Sequence, residues 1–167
     1  VSQSAGRPLQ LTDADVDRFR AHVVTTGGCS IWDSTIGSDG YGRFSLRLPG
    51  GRQRTVTPHQ VAAVLAFGEL AAGVTLLHDC DVRLCVSTGP GHVRVSTQAE
   101  NMQQAARRGR ARGPRPGLVD VRGRRGASRA IQKALRASTD RSAVGLARVL
   151  AVVLAAGDPL RHNGQLF

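Results

Sequence analysis

The pattern of apolar and polar residues divides the chain into short, distinct elements. Thr12 followed by Asp15 reads as a helix start, a hydroxyl and a carboxylate three apart, and Val16, Phe19 and Val23 then recur on one face of a helix over Leu11 to Val24. Thr25-Thr26-Gly27-Gly28 stops that helix and leads into Cys29. Arg43-Phe44-Ser45-Leu46-Arg47-Leu48 alternates polar and apolar residues, the period of a half-buried strand. The turn Pro49-Gly50-Gly51 and the stretch from Gln53 to Val56 complete a hairpin. Thr57-Pro58 then supplies a cap and a first-turn proline for an alanine-rich helix, His59 to Phe67, that stops at Gly68.

Further on, Val74 to His78 and His92 to Ser96 read as two strands, separated by an irregular loop that holds Cys80, Cys85, Gly89, Pro90 and Gly91. Thr97-Gln98-Ala99-Glu100 is a capping box that opens a helix running to about Arg108. The middle of the chain thus spells strand, loop, strand, helix. Two alanine-rich helices close the pattern, near Ser128–Ala137 and Asp140–Ala156. The second is apolar on nearly every side and must be buried, against its own core or against a second copy of the chain. Residues 1–10 carry no such pattern and are expected to be disordered.

Composition narrows the picture. A chain of 167 residues makes one domain, or one with an appendage. Twenty glycines and seven prolines against six aromatics leave a thin core that would profit from a staple. No run of eighteen uncharged apolar residues indicates a membrane span, and the start has no hydrophobic leader segment, so an intracellular, cytoplasmic protein is expected. The charge is uneven. Residues 1–100 hold nine basic and nine acidic side chains, whereas residues 101–167 hold fourteen and three, which accounts for the whole net charge of +11. Such asymmetry points to a polyanion, because arginines that displace condensed counterions gain their entropy of release. Nine arginines and one acid lie between Arg107 and Arg129 among glycines and two prolines, the composition of a flexible basic connector. Scarce aromatics argue against reading single strands by base stacking, so the backbone of double-stranded DNA fits better.

Three cysteines are an odd number for a disulfide framework. Cys80 and Cys85 are five apart, His92 opens the next strand, and Cys29 follows a turn. Three thiolates and one imidazole make a closed tetrahedral zinc site of the structural kind, whose task is to pin a loop poor in apolar residues. His78 lies two residues before Cys80, at a strand end beside that loop, and a histidine there is a fit general base for deprotonating water. Asn101 is the fourth residue of the helix capped by Thr97, and its amide oxygen suits a hard divalent cation such as magnesium.

The series Leu77-His78-Asp79-Cys80-Asp81, Leu84-Cys85-Val86, His92-Val93, Thr97-Gln98-Ala99-Glu100-Asn101-Met102 and Arg107-Arg108-Gly109-Arg110 resembles the HNH endonucleases. It is most similar to the zinc-bearing His-Cys box branch of homing endonucleases and their phage and bacterial relatives, over roughly Cys29 to Arg110. The resemblance implies an α+β fold: a ββα-metal core (the HNH, or His-Me finger, unit) with a preceding β-hairpin, a structural zinc and a helical C-terminal extension. Residues 1–110 would form the nuclease core, 111–127 the basic connector, and 128–167 a helical segment for DNA binding or dimerisation as a homodimer. It also implies a one-metal hydrolysis of DNA phosphodiesters. His78 would be the base, and Asn101 would hold a magnesium ion, replaceable by manganese, between the scissile phosphate and the departing 3′ oxygen. Arg43, or in second place Arg54, would brace the phosphate, and Arg107, Arg108, Arg110 and Arg112 would contact DNA. The chain departs from the family in having Ser87 where an asparagine usually steadies the loop, in a stretch two residues longer, and in having Leu77 where many members place an aspartate. Two other readings share the same residues: a zinc-stabilised DNA-binding module of this fold without cleavage, and a nuclease acting on RNA or with low specificity.

Overall fold

The computed structural model describes residues 8–71, 73–108 and 120–159. The expected disorder of residues 1–7, and Arg110, Arg112 and the rest of the connector between 109 and 119, lie outside them. The protein is an α+β fold built on small antiparallel sheets.

Helix α1 spans Asp13–Ala21. Its cap is as expected: the Thr12 hydroxyl accepts from the Asp15 N–H at 3.2 Å while the Asp15 carboxylate accepts from the Thr12 N–H at 3.3 Å. The expected extension to Val24 is corrected. The helix stops at His22, and Val23–Thr25 form strand β1, paired with β2 at Ser30–Trp32 in the register Val23↔Trp32. Consecutive β-branched residues lose side-chain freedom in a helix and fit a pleated strand. Phe19 remains the buried anchor of α1, in contact with Trp32 and Phe44 at centroid separations of 5.9 and 6.1 Å.

The hairpin forms where it is expected. Strand β3, Phe44–Arg47, alternates buried and exposed residues and pairs with β4, Gln53–Val56, in the register Phe44↔Val56. Between them a short 3₁₀ turn, Pro49–Gly51, places Gly50 and Gly51 at positive φ, which only glycine adopts freely. Helix α2, Pro58–Phe67, buries Val61, Ala62 and Ala63 and ends at Gly68 with φ +78. Strands β5, Thr75–His78, and β6, Val93–Ser96, are antiparallel with His78 opposite Val93, and α3, Gln98–Arg107, follows directly from the Thr97–Glu100 capping box and packs against β5.

The C-terminal helices belong to the same body. Helix α4 spans Gly123–Ala137 and α5 spans Ala143–Ala155. Ile131, Leu135, Leu146 and Leu150 enter the cluster that contains Ile31, Trp32, Phe44, Leu46, Val61 and Leu84. The expected reach of the connector to Arg129 is corrected, because residues 123–129 are already helical. The reason is side-chain anchoring: Ser128 Oγ donates to the Gly40 carbonyl at 2.6 Å, and Gln132 Nε2 donates to the carbonyls of Trp32 at 3.2 Å and Ser34 at 2.7 Å. Helix α5 finds its cover within its own chain through Leu146 and Leu150, yet Val144 and Val152 stay exposed, so it is not buried all round.

Candidate metal centre and adjoining histidine pair

The four candidate metal ligands are delivered by backbone pairing that the sequence does not announce. Strand β2 is flanked by residues 84–86: Trp32 N–H donates to the Leu84 carbonyl at 2.8 Å, Val86 N–H donates to the Ser30 carbonyl at 2.8 Å, and Ile31 faces Cys85. Cys29, at the foot of β2, is thereby set beside Cys85. Its turn is held by Thr26, whose N–H and hydroxyl both donate to the Cys29 carbonyl, at 3.2 and 2.6 Å. Gly27 N–H donates to the Ala143 carbonyl at 2.9 Å, so α5 steadies the same turn. Ser87 Oγ accepts the Ser30 N–H at 2.7 Å and so braces the loop. His92 is oriented by its N–H donating to the Gly89 carbonyl at 3.1 Å.

One donor atom from each of Cys29, Cys80, Cys85 and His92 lies within 4.8 Å of every other. His92 Nδ1 stands 3.7 Å from Cys29 Sγ and 3.6 Å from Cys85 Sγ. A regular tetrahedron with Zn–S bonds of about 2.3 Å and a Zn–N bond of about 2.0 Å has a sulfur–nitrogen edge of about 3.6 Å. The donor set therefore fits a closed, four-coordinate zinc ion. The thiols alone are in conflict. Hydrogen bonds from Cys29 and Cys85 hold the Cys80 thiol far below its usual range. Cys29 is raised in turn by Cys80 and Cys85 and by burial. Cys85, although its bond with Cys29 pulls it down, is pushed up to about 12 by Cys80 and burial. A divalent cation is what lets all three deprotonate together.

His78 ends β5 two residues before Cys80 and is 8 % exposed, and both of its ring nitrogens are buried without a hydrogen-bond partner. Its backbone is clamped. Arg108 donates to the His78 carbonyl at 3.1 Å and to the Asp79 carbonyl at 2.6 Å, and pairs with the Asp81 carboxylate at 3.3 Å. The Asp79 carboxylate accepts from Arg94 and from Gln104 of α3, each at 2.9 Å. Asp81 sits at φ +62, a left-handed conformation that aspartate tolerates better than most residues other than glycine, in the turn between His78 and Cys85.

Against the His78 ring stand two groups absent from the sequence reading of the site. The His59 ring meets it edge-on at 4.8 Å between centroids, and the Tyr41 ring lies 5.8 Å away. Burial, then the neighbouring His78 and Arg43, hold His59 well below the usual histidine range, so its ring is neutral. Its Nε2 is 3.1 Å from the Thr57 hydroxyl. His59 is not among the expected site residues: Thr-Pro-His reads as a helix start, nineteen positions before His78. Comparison with protein-family models, curated proteins and solved structures finds no match for this chain.

The other expected site residues fall as follows. Asn101 lies in the first turn of α3, partly buried, with its N–H donating to the Thr97 carbonyl at 3.0 Å and no side-chain partner among the described residues. Arg43 is bonded to Asp39 at 2.8 Å and to the Gly42 carbonyl at 3.1 Å, and its charge reaches His59. Arg54 lies on β4, opposite Leu46. Arg107 is exposed at the end of α3, whereas Arg108 is the clamp on the loop after His78.

Proposed function

We propose that the chain is a zinc-braced nucleic-acid-binding unit of the HNH, ββα-metal type that hydrolyses phosphodiester bonds in duplex DNA. The observation that carries hydrolysis is the His78 ring: buried, fixed at a strand end against the Cys80 thiol of the metal knot, with neither nitrogen bonded to a nitrogen or oxygen partner. Buried polar atoms are almost always paired, and one left open at a rigid site is a candidate for chemistry.

In this reading Cys29, Cys80, Cys85 and His92 hold zinc as a structural brace, which keeps the His78 loop in place without an open coordination position. Asn101 would hold a magnesium ion, which supplies charge stabilisation at the phosphate and the departing oxygen. His78 takes a proton from the attacking water at a ring nitrogen. The neutral His59 packs its ring against His78, and Arg43 presents positive charge on the same side for the phosphate. The strand-hairpin-helix order from Thr75 to Arg107 and the excess of arginines after residue 100 support the assignment to a DNA-acting unit.

A second reading, the zinc-stabilised module without cleavage, is favoured by a specific observation. The metal knot is the one part of the centre whose donors converge, and it supports a structural role more directly than it supports hydrolysis. Asn101 offers a lone amide donor, and the neighbouring Glu100 carboxylate is taken up by the Ser96 hydroxyl at 2.6 Å and the Thr97 N–H at 3.0 Å. A plasmid assay in magnesium with the wild type and His78→Ala, run beside a duplex-binding assay and with RNA as competitor, separates the readings. The proposal expects cutting that His78→Ala abolishes while binding survives. Binding without cutting establishes the second reading, preferential cutting of RNA moves the substrate, and equal cutting by both proteins removes His78 from the mechanism.

A further inference from the structure

Helix α4 carries an uncompensated stripe of positive charge. Arg125, Arg129 and Lys133 are spaced four apart along one flank, and all three are exposed. The helix contains no acidic residue. Two other arginines of this region are paired: Arg122 with Asp120 at 2.7 Å and Arg136 with Asp33 at 2.8 Å. Arg125, Arg129 and Lys133 have no ion-pair partner among the described residues.

The stripe also stands on a helix fixed to the core. The adjoining face of α4 buries Ser128, Ile131, Gln132 and Leu135 in the core, and the backbone of Arg124 presses on Gly40. Gly40 precedes Tyr41, whose ring lies against His78. The first turn of α4 is therefore two contacts away from the histidine pair.

We propose that Arg125, Arg129 and Lys133 form a docking rail for the phosphate backbone of duplex DNA, which sets the duplex in register with the His78 end of the protein. This rests on the nucleic-acid reading above and deepens it. From residue 125 to 133 the helix rises about 12 Å. Along one strand of a duplex that rises about 3.4 Å per phosphate, this distance spans three or four phosphates. Three cations at fixed spacing lose less entropy on binding than the same cations on a flexible connector. A lipid surface is the weaker match, because a basic helix binds membranes through an apolar face. Here that face, through Ile131 and Leu135, is spent in the core.

The test uses the full chain and a fluorescent duplex, with affinity measured between about 50 and about 200 mM salt. The triple variant R125Q/R129Q/K133Q is expected to bind at least about tenfold more weakly at the lower salt, and its plot of log affinity against log salt should be shallower by about 2 to 3. A matched triple, R20Q/R52Q/R148Q, removes the same charge from exposed sites on α1, the hairpin turn and α5 and should leave the slope nearly unchanged. Equal losses in the two triples would show a net-charge effect and overturn the rail. Wild-type binding with an unaltered slope in the first triple overturns it as well, while leaving the nucleic-acid reading intact. A wild type that binds no duplex, or binds only anionic vesicles, overturns both.

Discussion

The imidazole rings of His59 and His78 meet edge to face, with centroids 4.8 Å apart and planes at 79°. His59 comes from the first turn of α2 and His78 from the end of β5, so the contact joins the hairpin half of the fold to the loop that carries Cys80 and Cys85. Removing the His59 ring should leave His78 free to tilt. His59→Ala is expected to lower magnesium-dependent plasmid cutting by about tenfold to a hundredfold, the scale on which small misplacements of a reacting group act. His59→Phe, which keeps the ring, should recover part of the loss, and zinc content should be the same in all three proteins. Wild-type cutting by His59→Ala would show the contact to be idle.

The same ring gives a pH dependence with a definite sign. Burial keeps His59 neutral in the folded protein, whereas in the unfolded chain it takes up a proton near pH 6.5. The unfolded state then binds more protons, so stability is full above that value and declines as the pH falls through it toward the depressed folded value. Urea midpoints at about pH 7.5 and about pH 5.5 should differ less for His59→Phe than for the wild type, the zinc site being common to both. An equal drop in the two proteins would contradict the assignment.

The donor distances around His92 lead to a quantitative expectation for metal. The purified protein should hold about one zinc per chain by mass spectrometry, with its thiols shielded from titration until the metal is stripped. Cys29→Ser and Cys80→Ser should lower folding yield and midpoint temperature rather than turnover alone, because binding free energy at a closed site is folding free energy. Zinc-free protein with three thiols freely titratable in its native state would refute the site.

The elements from Thr75 to Arg107 were legible because their signals are local. Alternation, a glycine-rich break and a capping box each act within a few residues. The metal ligands could be grouped by residue type and spacing alone. Neither route reveals what packing decides. Val23–Thr25 become a strand because Ser30–Trp32 lies alongside, and α4 starts at Gly123 because Ser128 and Gln132 find carbonyl acceptors on Gly40, Trp32 and Ser34. His59 was invisible for the same reason: its neighbour is nineteen positions away, and only the fold brings the two together.

Ser87 is a small residue with a measurable task. Its Oγ accepts the Ser30 N–H at 2.7 Å, and its carbonyl accepts the Val93 N–H at 3.0 Å, which ties the long loop to β2 and β6. Ser87→Ala strands the Ser30 donor beside Cys29, at a cost of about 1–3 kcal/mol. The midpoint in urea should fall accordingly, and zinc should be lost to a chelator faster than from the wild type. Ser87→Asn keeps a side-chain acceptor and should lose less. If Ser87→Ala matches the wild type in both measurements, the bond contributes nothing.

Gly40 is the point where α4 meets the rest of the protein, and its substitution tests that joint. It sits at φ +83, where a side chain is strained by about 1–2 kcal/mol, and a Cβ there would run into the backbone carbonyl of Arg124. Backbone cannot give way as the tip of a flexible side chain can. Gly40→Ala should therefore shift α4 and weaken the 2.6 Å bond from Ser128 to the Gly40 carbonyl. A loss of about 2–4 kcal/mol is expected, together with faster proteolysis between α3 and α4 and weaker duplex binding, since the charged stripe loses its fixed place. Gly28→Ala is the control: it has open space around its Cβ position and no left-handed backbone, so it should be nearly neutral. Equal stability and equal duplex affinity of the two variants would mean that α4 does not depend on the Gly40 contact for its position.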